Sequence, residues 1–99
     1  MQKYFILQLN ENNGKKLFQS YDNICKRYGN VNIDDYDIVY SSDIDDTQLS
    51  EPLLDEIFRI FNIGLPTDFK GHSLSVSDII YVKGKGFYYV DNYGFKKLR

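Results

Sequence analysis

The side chains best equipped for chemistry gather in the last third of the chain, around its single histidine. Ser73, Ser75, Ser77 and Asp78 follow His72 closely, and Asp91 comes after the next pair of apolar runs. A hydroxyl, an imidazole and a carboxylate are the components of nucleophilic acyl transfer. Their spacing does not support it. There is no nucleophile-elbow pattern, and Ser, Asp and Gly are the residues that build hydrogen-bonded turns. The run Gly71–Asp78 (GHSLSVSD) therefore reads as a turn that positions the strand after it, and the chain is not expected to be an enzyme.

The other reactive groups fare no better. Cys25 is the single cysteine, so there is no internal disulfide, which fits a reducing compartment. It lies on an apolar helical stripe, where a buried, inert thiol is the usual case. One histidine and one cysteine far apart in sequence do not make a zinc site. Asp43, Asp45 and Asp46 have the density of a calcium loop but lack its central glycine and its closing glutamate. Lys83-Gly84-Lys85-Gly86 lies between two strand patterns with no helix after it, so it is not a phosphate-binding loop. We expect no metal and no cofactor.

Charge distribution is more informative than net charge, which is −2. Residues 31–60 carry nine acidic side chains against one basic, Arg59. The nine are Asp34, Asp35, Asp37, Asp43, Asp45, Asp46, Glu51, Asp55 and Glu56. Gathered on one surface, they would present a field like that of a phosphate backbone and attract a basic cleft. They are the candidate partner-binding residues. The opposing candidate is a basic C-terminal edge, Lys83, Lys85, Lys96, Lys97 and Arg99, with Tyr93 beside it for stacking on nucleic acid. The plainer reading of those lysines is that they keep an exposed sheet edge from pairing.

These residues need elements to hold them. Ninety-nine residues make one domain, 1–99, with an ordinary apolar fraction of 42%. Lys3–Leu9 is nearly continuously apolar and reads as a well-covered strand. Leu17, Tyr21, Ile24, Cys25 and Tyr28 fall at helical spacing, which predicts a helix over 15–28 capped by Gly29. Tyr36–Tyr40 alternates and is a strand; residues 41–48 read as an acidic loop. A second helix, capped by Ser50, runs to Phe61. Ile79–Val82, Phe87–Val90 and Phe95–Leu98 are strands separated by turns, which predicts an antiparallel meander. The order β-α-β-α-β-β-β predicts an α+β fold: a small antiparallel sheet with two helices packed on it. The N-terminal apolar run is too short for a signal peptide and no later run approaches a membrane span, so a cytoplasmic protein is expected.

Several pieces resemble YodL-like domains, small domains of low-GC bacteria and their mobile elements. The matching pieces are Phe61-Asn62, the segment from Pro66 through Asp68–Asp78, the strand after it, and Tyr88–Phe95 (YYVDNYGF), with Tyr4–Leu9 and Tyr36–Tyr40 agreeing more loosely. SLSVSD and VDNYGF are the specific parts. The resemblance implies an interaction or accessory module with no catalytic residues to carry over. The chain also has no alanine and nine lysines to three arginines, a bias that fits AT-rich coding in such bacteria, their phages and plasmids. The expectation is a phage- or mobile-element-encoded protein that binds a host protein through its acidic block. One such target is a nucleic-acid-handling defence enzyme, which would be inhibited in the way anti-CRISPR proteins inhibit theirs. The alternative is a nucleic-acid-binding accessory module. It is prompted by the likeness of the strand pair around 79–91 to PUA-like RNA-binding barrels and would use the basic hairpin.

Overall fold

The strand β1 (Gln2–Leu9) is the centre from which the sheet is built. A computed structural model of the chain describes residues 1–45, 52–63, 68–69, 71 and 73–98. In it β1 is flanked on one side by β2 (Tyr36–Ile44) and on the other by β3 (Ile79–Val82), both antiparallel. β4 (Gly86–Val90) and β5 (Phe95–Lys97) complete the expected meander. The five-stranded order is β2-β1-β3-β4-β5. The fold is α+β, as the pattern predicts.

Alternation along β1 divides the core into two layers. Tyr4 and Ile6 face α2 (Leu53–Ile63), whose Ile57 and Phe61 are fully buried against them together with Leu74, Ile80, Val82 and Val90. Rings mesh edge to face here: Phe61 lies 4.9 Å from Phe69 and 5.4 Å from Tyr40. Leu7 faces the other way, with Ile79 and Tyr89, and Ile24 of α1 (Tyr21–Tyr28) closes that layer. The two helices thus pack on opposite faces of the sheet.

Two boundaries differ from expectation by more than two residues. Helix α1 begins at Tyr21, not near Lys15, because Glu11–Lys16 forms a separate 3-10 turn. Phe18 then takes a left-handed backbone (φ 62°), and Ser20 accepts the Asn23 amide hydrogen at 3.2 Å as the true N-cap. At the other end Gly29, at φ 84°, is the expected cap. The second difference is at β2. It continues through Ser41–Ile44, so Asp43 belongs to a strand and not to a loop. Strand pairing with Gln2–Phe5 outweighs the polarity of that segment. Ser50, proposed as the cap of the second helix, lies outside the described residues.

Candidate partner-binding surface

The strand β2 forms one edge of the sheet, with β1 on its inner side. Five of the nine acidic candidates belong to this edge or its approach. Asp34 and Asp35 lie on the 3-10 turn Ile33–Asp35, Asp37 and Asp43 on β2, and Asp45 just beyond it. From Asp37 to Asp43 the strand covers roughly 20 Å, given its rise per residue. The register places the two on opposite faces of the sheet. Asp37 pairs with Gln8, which points towards the α2 side, and Asp43 pairs with Lys3, which points the other way with Phe5. The Ile6/Leu7 irregularity keeps both directions consistent with the pleat.

The described acidic residues on and beside β2 are therefore a rim along one edge, not a single flat patch, whereas Asp55, on α2, lies beside Val90 and Phe95 towards the opposite edge. Among the described residues, Asp35 and Glu56 form ion pairs. Asp35 pairs with Lys16 at 2.5 Å, both largely buried. Glu56 accepts hydrogen bonds from Arg59 one turn on, which holds its carboxyl below the usual range. Asp55 is exposed in the first turn of α2, where a carboxylate favours the helix dipole. Asp34, Asp37, Asp43 and Asp45 are also exposed. Asp46 and Glu51 lie outside the described residues.

The basic candidates are dispersed. Lys83 and Lys85 sit on the β3–β4 turn, and Tyr93 is 97% exposed on the β4–β5 turn. By register Lys96 pairs with Tyr89 and Lys97 with Tyr88, so the two lysines project to opposite faces. Lys96 stands 5.5 Å from the Tyr21 ring centroid and Lys97 6.0 Å from that of Tyr88. Arg99 lies outside the described residues.

The serine-rich segment after the second helix forms a structural node. Asp78 is fully buried, and its Oδ2 accepts from the Ser75 amide at 2.9 Å and from Gln8 Nε2 at 3.2 Å. Ser77, at φ 87°, accepts the Phe18 amide hydrogen on its hydroxyl at 3.0 Å, and its carbonyl accepts the Tyr36 hydroxyl at 2.6 Å. Asp91 accepts the Tyr21 amide hydrogen at the start of α1, 3.1 Å away. A Cβ on Gly71 would meet the ends of the Gln8 and Phe69 side chains, which would have to shift to admit it. Ser75, Ser77, Asp78 and Asp91 are thus committed to holding β1, β2, β4 and α1 together. His72 lies outside the described residues.

Sequence reasoning passed over one feature. Phe5, Tyr81 and Phe87, from β1, β3 and β4, form a ladder of rings on the α1 side of the sheet, and α1 does not reach across it. Centroids are 5.5 and 4.3 Å apart, with planes tilted by 28° and 27°. Ile38 stands nearby on β2 and is 65% exposed. The signal was the second half of each strand's alternation, since residues opposite the buried set had to face something.

No helix among the described residues is long and apolar enough to cross a membrane. No curated protein and no solved structure matches the chain. The family does have a counterpart: the model of the YodL-like domain matches residues 3–99, which takes in the Ser77–Asp78 node and both sheet edges, and the chain belongs to the YodL-like domain family.

Proposed function

We propose that this YodL-like domain acts by binding a protein that presents a basic groove, with the acidic edge at β2 as its contact surface. The observation that carries this is the run of exposed carboxylates, Asp34, Asp37, Asp43 and Asp45, along an edge strand. Such an edge is a poor partner for another acidic or neutral strand and a good one for a cationic surface. Their spacing along some 20 Å suits a groove built for a phosphate backbone. The partner class is a host nucleic-acid-handling defence enzyme, bound and inhibited by a mobile-element protein. The edge argues less well for nucleic acid itself, because the side chains it exposes are carboxylates, which repel phosphates.

The test is association with a purified defence nuclease that has a basic substrate cleft, followed at rising salt. Binding at low salt should weaken steeply as salt rises. Replacing Asp43, Asp45 and Asp46 together by Lys should weaken it roughly tenfold or more. No association at low salt, or an unchanged affinity in the reversed chain, overturns the reading. A gel shift of the wild type with RNA would overturn it in favour of nucleic-acid binding.

A further inference from the structure

Helix α1 is held to the sheet by its lead-in as much as by its own face. Ile24 is its one buried side chain, Tyr21 and Cys25 are half-buried, and the other five residues are exposed. Three hydrogen bonds to the side chains of Ser77, Tyr89 and Asp91 form a latch at its N-terminal end. Ser77 Oγ accepts the Phe18 amide hydrogen at 3.0 Å, the Tyr89 hydroxyl donates to the Gln19 carbonyl at 2.7 Å, and Asp91 Oδ1 accepts the Tyr21 amide hydrogen at 3.1 Å. The latch is strained. Phe18 and Ser77 both have left-handed backbones, at φ 62° and 87°, which a side chain makes costly. The Phe18 ring is 64% exposed, so its burial offsets little of that strain. Beyond the other end of the helix lie Gly29, also left-handed, and Asn30, both exposed and free to hinge.

We infer that α1 is a releasable cover: residues 17–29 open as one unit while the sheet and α2 stay folded. The core on the α2 side contains no residue of α1, so opening leaves it intact. Opening restores backbone freedom to a helix too short to stand alone and releases the left-handed residues. It also uncovers Leu7, Ile79 and Tyr89, and that lost burial, with the three latch bonds, keeps the closed form dominant. The register sets those three residues in the row beside Phe5, Tyr81 and Phe87. The closed molecule leaves one apolar row outside the cover, and the open molecule leaves two. The position of α1 thus controls how much of this sheet face meets water. The contact proposed at the β2 edge does not depend on it, because β2 pairs with β1 in both forms.

Native-state amide exchange, followed by NMR at low urea concentrations, tests this. The amides of Ile24 and Gly29 bond to the Ser20 and Cys25 carbonyls. They should exchange through one shared opening with little urea dependence, roughly a hundredfold or more faster than Ile6 and Ile80 on the inner strands. Tyr89→Phe keeps the ring, removes one latch bond, and should speed exchange in α1 roughly tenfold. Ile57→Val separates local opening from global unfolding. It weakens only the α2-side core, so it should speed Ile6 and Ile80 several-fold and leave Ile24 and Gly29 unchanged. The inference is overturned if α1 and the inner strands exchange alike with the full urea slope of unfolding. It is equally overturned if Ile57→Val speeds both sets together, or if Tyr89→Phe leaves α1 unchanged. The wild type and Ile57→Val decide the matter even where Tyr89→Phe destabilises the whole fold.

Discussion

Asp78 shows what the reactive-looking residues of this chain are for. A fully buried carboxylate that accepts from a backbone amide and from Gln8 Nε2 joins the turn before β3 to the central strand. Asp78→Ala should lower the unfolding free energy by about 2–3 kcal/mol, read from urea melts, because it removes a buried acceptor that two donors share. The tyrosines give a pH prediction. Burial raises the Tyr4 phenol to about 12, and burial likewise pushes Tyr36 and Tyr89 well above the ordinary value. Tyr36 and Tyr89 donate to the carbonyls of Ser77 and Gln19 at 2.6 and 2.7 Å. A phenol whose folded pKa is raised stabilises the fold fully below the unfolded value, about 10, and loses that contribution as pH rises through the folded one. Urea midpoints should therefore fall as pH climbs above about 10, and Tyr36→Phe with Tyr89→Phe should flatten that fall. The turn role of Ser75, Ser77 and Asp78 was legible from residue type. Their partners were not, because Gln8, Phe18 and Tyr36 lie some 40 to 70 positions away in sequence.

At the scale of elements, helix α1 depends on its ends more than on its length. Eight residues are too few to be helical on propensity alone. Ser20 satisfies one amide at the N-terminus, Asp91 another, and Gly29 closes the C-terminus in a left-handed conformation. Ser20→Ala should cost about 1 kcal/mol in a urea melt, typical of a lost cap. Gly29→Ala should cost about 1–2 kcal/mol, from backbone strain alone, since nothing lies within 4 Å of the added carbon. The stripe Tyr21, Ile24 and Cys25 was readable because helical spacing is a local signal. The start of the helix was not, since Leu17 continues the stripe and Phe18 breaks the backbone for a contact with Ser77. The same limit hid the end of β2. Ser41–Ile44 is polar and acidic in isolation, and it is a strand because β1 is there to pair with it.

For the whole molecule, the sheet has unequal edges, and this bears on why the carboxylates are where they are. The β5 edge is three residues long, and the β2 edge is nine. A long edge strand with an exposed isoleucine is a template for unwanted pairing unless charge prevents it. Asp37 and Asp43 project to either side of that strand and so guard both faces of the edge. The composition showed that the middle third is acidic, but not that most of the acidity follows one edge. That depends on β2 being outermost, which is set by the β1–β3 pairing between segments far apart in the chain. The guarding role and the proposed binding role make the same demand on these residues, and one variant probes what they share. Asp37→Asn with Asp43→Asn removes charge while keeping size and hydrogen-bonding capacity. The variant should retain its unfolding free energy to within about 0.5 kcal/mol, because both sites are exposed. Light scattering at rising concentration should nevertheless show it associating more strongly than the wild type. Equal behaviour of the two chains would mean that the β2 edge is kept apart by something other than its charge.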